Sequence, residues 1–163
     1  QESPLVMVLE DLQDPGNVGT ILRTAESAGV SGILLSRKSA DLFNPKTVRS
    51  TMGSIYRMPF YHTDDLPGVV GRLKEDGFTV YAADLQGGQI YDEADHTGKT
   101  AFMIGNEGNG LSEELLQAAD GAVYIPMAGQ AESLNAAVAA GILMYEAARQ
   151  RRKKVCLKPH LML

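Results

Sequence analysis

Short, fully apolar blocks alternate along this chain with stretches whose apolar positions recur at helical spacing. PLVMVLEDL predicts a buried strand, because a short run rich in β-formers is bounded by a proline and acidic residues. DPGNVGTILRTAESAGV predicts a helix: Asp14 is a candidate N-cap, Pro15 suits the first helical position and Gly29 closes it. GILLS predicts the next strand. NPKTVRSTMGS then reads as a short helix ending at Gly53, DDLPGVVGRLKEDGF as another helix, and TVYAADL and TAFMIG as strands. SEELLQAA reads as a helix, GAVYIPM as a strand and SLNAAVAAGILMYEAARQRRKK as a long final helix. Strands that alternate with helices and are apolar throughout indicate an α/β domain, with a mostly parallel sheet covered by helices on both faces.

Composition narrows the class. A chain of 163 residues with 44% hydrophobic residues can bury one real core, so one site is expected. The apolar runs are far too short to cross a bilayer and no signal-like segment opens the chain, so a soluble, cytoplasmic protein without a membrane partner is expected. The single cysteine, Cys156, has no companion for a disulfide or a zinc site; it reads as a bystander thiol, and no metal is expected. A formal net charge of −5 argues against a uniformly basic surface. Two basic clusters remain: Arg37, Lys38, Lys46, Arg49 and Arg57, and RQRRKK at 149–154, which reads as a solvated helix end favoured by the helix dipole. The sequence starts at Gln1 without a methionine, which suggests that a preceding segment, with more positive charge, has been removed.

Three segments hold candidate chemistry. IGNEGNGLSEELL follows a strand, where ligands bind in open α/β sheets, but its glycines at 105, 108 and 110 reverse the order of a dinucleotide-binding loop. A tight loop before a helix capped by Ser112 would explain the glycines alone; Glu107, a carboxylate held among them, calls for solvent or a specific partner. In DPGNVGTILR, Asn17 and Arg23 are six residues apart and face different ways on a helix, so either Asn17 lies at the helix mouth or the two serve different surfaces, one of them at a subunit interface. In IPMAGQAESLNAAVAAG a strand runs into a loop and then a helix opened by Ser133, Leu134 and Asn135. Its free N–H groups suit an anion or a polar cofactor edge, with simple capping by Ser133 as the plainer account.

Taken together and in this order, DPGNVGTILRTAESAG, FMIGNEGNGLSEELL and IPMAGQAESLNAAVAAGILMYEAARQR resemble the three motifs of the SpoU (TrmH-like) family of RNA ribose 2′-O-methyltransferases, of the SPOUT class. STMGSIYRMPF resembles the family's Ser-x-Gly-Ser/Ala segment, and the likeness runs from about Leu5 to about Arg152. The resemblance implies methyl transfer from S-adenosyl-L-methionine to a ribose 2′-hydroxyl of tRNA or rRNA, by a homodimer whose C-terminal part forms a deep trefoil knot around the cofactor. Threaded chains are nearly absent among folds, so the knot comes from the resemblance alone. Residues 1–163 would then be the catalytic domain, with an N-terminal RNA-binding domain missing from the chain.

By motif position, the resemblance implies catalytic roles for Asn17, Arg23, Glu107, Ser133 and Asn135, and cofactor contacts from Gly105, Ile125, Met127, Ser133 and Leu134, largely through backbone groups. Glu107 would hold Arg23 or Asn17 in place, and Ser133 would meet a phosphate or the target ribose. Arginine stays protonated in proteins, so Arg23 as base, phosphate clamp or transition-state stabiliser stays open. Other readings are a base-modifying SPOUT enzyme, a catalytically silent knotted module that binds RNA or cofactor and dimerises, and a flavodoxin-like module. The last would need a phosphate loop where Pro15 and Asn17 stand.

Overall fold

In a computed structural model the apolar blocks become a seven-stranded sheet in the order β3-β2-β1-β6-β4-β7-β5, with every neighbouring pair parallel among the described residues. The strands are β1 (Leu5–Leu9), β2 (Gly32–Ser36), β3 (Phe60–Thr63), β4 (Thr79–Ala83), β5 (Gln89–Ile90), β6 (Thr100–Ile104) and β7 (Gly121–Tyr124). The helices are α1 (Pro15–Ala28), α2 (Pro45–Thr51), α3 (Leu66–Glu75), α4 (Glu113–Ala118) and α5 (Ala136–Leu157). The structure describes residues 3–84 and 86–157, without the side chains of Ser50, Tyr56, Val155, Cys156 and Leu157, so the reading of Cys156 as a bystander lies outside the described residues.

The central strands are apolar throughout because both of their faces are buried. Leu5, Met7 and Leu9 of β1 and Phe102 and Ile104 of β6 pack with Ile21, Leu22 and Ala25 of α1 and Ala140, Leu143 and Met144 of α5. On the other face Val8, Ala101 and Met103 meet Leu66 and Val70 of α3 and Leu115 of α4. Side chains alternate across each strand, so one strand feeds both cores. Asp14 and Ser112 cap α1 and α4 as expected, and Asn44 and Asp65 do the same for α2 and α3; each accepts from backbone N–H groups of the first turn, and α1, α2 and α3 carry a proline at the start.

Four features depart from the expectation. β3 and β5 were not foreseen: β3 is an edge strand whose Tyr61 is exposed, so it lacks the alternation or apolar run that marks a strand, and β5 is two residues long. α2 stops at Thr51, because Met52 and Gly53 both turn left-handed at φ 51° and 92°. α5 starts at Ala136, later than expected, and its cap is Asn135 in place of Ser133: Asn135 Oδ1 accepts from the N–H groups of Ala137 at 2.9 Å and Val138 at 3.2 Å.

The basic end of α5 is also less solvated than expected. Arg149 pairs with buried Glu146, and the side chain of Gln150 both accepts from the His96 N–H at 2.7 Å and donates to the Ala94 carbonyl at 3.0 Å. Arg151 donates to the carbonyls of His96 at 3.1 Å and Gly98 at 2.9 Å. Gln150 and Arg151 therefore tie α5 to the loop before β6, Arg149 is paired within the helix, and Arg152, Lys153 and Lys154 stay exposed. No helix among the described residues is long and apolar enough to cross a membrane.

Candidate active site

β1 has β2 on one side and β6 on the other, so the strand order reverses there, and a crevice at strand C-termini is expected beside it. A cleft of about 550 Å³ opens past the C-terminal ends of β4, β6 and β7. Its walls are the loop after β6, the mouth of α1 and the segment that leads into α5.

The loop after β6 is built by one asparagine. Asn106 exchanges backbone hydrogen bonds with Gly110 at 3.1 and 2.9 Å. Its side-chain oxygen accepts from the N–H groups of Gly108 and Asn109 at 2.9 and 3.1 Å, and its amide donates to the Asp11 carbonyl at 2.7 Å. Gly105 has no alternative at its position, because a Cβ there would land on the backbone of Gly110 and Leu111. The loop's folded shape projects Glu107 toward α1, where its carboxylate accepts from the backbone N–H groups of Asp14 at 3.3 Å and Gln13 at 3.5 Å. Glu107 thus braces the backbone entering α1; the expected grip on the side chain of Arg23 or Asn17 is not among its contacts.

Asn17 sits in the first turn of α1, at the helix mouth, below the cap that Asp14 makes to Gly16 N at 2.7 Å and Asn17 N at 3.3 Å. The Asn135 amide donates to Asn17 Oδ1 at 3.0 Å. Asn135 has its oxygen committed to the first turn of α5, so its NH₂ group must face Asn17. Asn17 thus lies at the helix mouth, and it serves a different surface from Arg23.

Asn17, Gly105, Glu107, Ile125, Ser133, Leu134 and Asn135 all line this one cleft. Met127 is half-buried and does not line it, and Arg23 is exposed on α1 outside it, without a hydrogen bond or ion pair among the described residues. Sequence reasoning missed Asp84, at the end of β4, and Asn106. A carboxylate at a strand's C-terminus, and an amide between glycines, were the signals available for them.

The charged wall residues are Asp14, Asp84 and Glu107, all acidic, beside apolar Ile104, Val123, Ile125, Leu134 and Leu143. Such a cleft favours a ligand with positive charge and an apolar ring. No group of acidic, histidine or cysteine side chains that could hold a metal occurs among the described residues. Next to Arg23, Glu26 is engaged from outside α1: Arg57 Nε donates to its Oε1 at 2.5 Å, and Ser54 Oγ to its Oε2 at 3.2 Å. The hydrogen bond from Arg57 holds the Glu26 carboxyl below its ordinary range, and the same contact raises Arg57.

Residues 4–145 match the model of the SpoU rRNA Methylase family. The chain is 45% identical over 140 residues to the 23S rRNA (guanosine(2553)-2′-O)-methyltransferase RlmP of Bacillus subtilis, covering 86% of this chain and 56% of that protein. Among solved structures it is similar to the SpoU methyltransferase AviRb of Streptomyces viridochromogenes in complex with AdoMet, at TM-score 0.86 and 36% identity, over 93% of this chain and 59% of that one. It is likewise similar to the AdoMet-bound rRNA methyltransferase of Sinorhizobium meliloti, at TM-score 0.83 and 40% identity, over 91% and 57% of the two chains. This chain spans a little over half the length of these relatives. The match runs through β1, α1, the loop after β6 and the first half of α5, the elements that build the cleft, and the chain belongs to the SpoU rRNA methylase family.

Proposed function

We propose that this chain is the catalytic domain of an RNA ribose 2′-O-methyltransferase that uses S-adenosyl-L-methionine. The observation that carries this reading is that one cleft gathers Asn17, Glu107 and the Ser133–Asn135 segment, a member of each of the three separated motifs. The relatives named as methyltransferases, and the cofactor-bound neighbours, support it. The cleft fits the cofactor on its own terms. Its volume suits a nucleoside joined to an amino acid, its walls offer apolar surface to a base, and the charged groups that line it among the described residues are carboxylates that favour a sulfonium and an ammonium.

Gly105, Ile125, Ser133 and Leu134 would hold the cofactor, with Met127 adjoining from the loop after β7. When bound, it supplies an electrophilic methyl group. Asn135 and Asn17 lock the mouths of α1 and α5 together, which fixes the distance across the cleft. Ser133, exposed at the rim with no hydrogen-bond partner among the described residues, is free to meet a ribose or phosphate. Arg23 on the outer ridge of α1 would take an RNA phosphate. The domain would act in the cytoplasm as a homodimer on tRNA or rRNA, with its C-terminal part knotted and an N-terminal RNA-binding domain in the whole protein. Exposed Val138 and Tyr145 on α5 suit the dimer contact.

Isothermal titration of S-adenosyl-L-methionine into the wild type and a Leu134→Arg variant tests the site. Saturable binding that the variant abolishes is the expected result, followed by transfer of labelled methyl to unmodified rRNA or tRNA transcripts. A folded wild type that binds no cofactor would overturn the reading.

A further inference from the structure

The segment TMGSIYR, between the first two motifs, lines no part of the cleft, yet its geometry converges on one residue of α1. Arg57 reaches both oxygens of Glu26, Nε to Oε1 at 2.5 Å and Nη2 to Oε2 at 3.4 Å, and Ser54 adds its hydroxyl to Oε2 at 3.2 Å. Ser54 is buried, so its hydroxyl has little freedom to turn elsewhere. Gly53 permits the arrangement twice over. It adopts φ 92°, which side chains rarely allow, and a Cβ on it would press to 3.3 Å from Arg57 Nη1.

Glu26 lies three residues beyond Arg23 on the same helix, about 60° around it, the spacing at which an acid and a base pair on a helix surface. Arg23 would ordinarily find that carboxylate. In the structure both oxygens are taken by the other side, and Arg23 has no ion pair among the described residues.

We propose that Arg57, with Ser54, is a positioning residue for Arg23: the clamp draws Glu26 away from its helical neighbour and leaves the Arg23 guanidinium open to the RNA backbone. This rests on the reading of Arg23 as an RNA-facing residue. It also gives the convergence of Gly53, Ser54 and Arg57 on Glu26 a purpose that capping and packing do not explain.

The test is the rate at which phenylglyoxal labels Arg23, followed by peptide mass spectrometry, in the wild type, Arg57→Met and the Glu26→Gln, Arg57→Met double variant, with exposed Arg72 as internal standard. Releasing Glu26 should slow labelling of Arg23 roughly 1.4-fold to twofold in Arg57→Met, the scale of an exposed helical ion pair. The double variant should return to the wild-type rate. Equal labelling of Arg23 in all three proteins, or protection that persists in the double variant, would overturn the proposal, because a purely structural clamp would not be relieved by Glu26→Gln. Arg23→Ala, assayed separately for methyl transfer to an unmodified 23S rRNA transcript, tests the underlying reading: full activity there would remove Arg23 from the function whatever the labelling showed.

Discussion

Gly105 and Asn135 are the two residues on which the cleft depends most directly. Adding one methyl at Gly105 forces the backbone of Gly110 and Leu111 aside. Gly105→Ala should therefore cost about 1–3 kcal/mol of stability, as overpacking typically does, and weaken cofactor binding by at least tenfold, roughly 1.4 kcal/mol. Urea unfolding and titration calorimetry read the two effects, and unchanged binding would show that the loop adjusts freely. Asn135 has two duties that can be separated. Asn135→Ala removes the cap of α5 and should destabilise by about 1 kcal/mol, whereas Asn135→Ser keeps a good cap but cannot reach Asn17. The serine variant should be as stable as the wild type and clearly slower in methyl transfer; equal activity would make the bond to Asn17 dispensable. Little of this was legible in the sequence. The motif likeness pointed to Asn17 and Asn135, but periodicity carries no information on two side chains 118 residues apart, and the choice of Asn135 over Ser133 as cap depends on where the chain enters the helix.

Elements were more legible than side chains. Strands buried on both faces advertise themselves as apolar runs, and helix starts through Asp, Asn, Ser and Pro, so α1, α3, α4 and the central strands were all foreseen. β3 and β5 were not, because edge strands are specified by their neighbour's unpaired backbone and not by their own side chains. The loop that meets the end of α5 holds a pH-sensitive contact. His96 is fully buried against Tyr81 and Phe102, and its Nε2–H donates to the Tyr91 carbonyl at 2.7 Å, which leaves Nδ1 without a partner among the described residues. Burial lowers its pKa, outweighing the opposing pull of the Tyr91 carbonyl, Glu146 and Asp95. Stability is then fully present above the unfolded value of about 6.5 and falls as the pH drops below it toward the folded pKa, because the unfolded chain takes up the proton first. Denaturation midpoints at pH 7.5 and 5.5 should differ more in the wild type than in His96→Phe; the same difference in both would assign the acid sensitivity elsewhere.

At the scale of the molecule, part of the positive charge is engaged by the chain's own groups. Arg37 meets Asp64, Arg57 meets Glu26, Arg149 meets Glu146 and Arg151 is held by carbonyls, on a chain of net charge −5. The isolated chain should therefore bind S-adenosyl-L-methionine well and RNA weakly. In a gel shift, an RNA affinity that is tight at about 50 mM salt and falls by roughly a thousandfold at about 200 mM would contradict this. The sheet order has a kinetic consequence as well. β1, made first, pairs with β6, and Asn17 closes on Asn135, so the cleft spans nearly the whole described chain. Its walls join only after residues past Asn135 have been made and folded, and contacts so remote in sequence form slowly. During synthesis the nascent domain passes through a long interval in which β1 and α1 have β2 and α2 beside them but still lack β6 and α5, so the ability to bind a ligand arrives late.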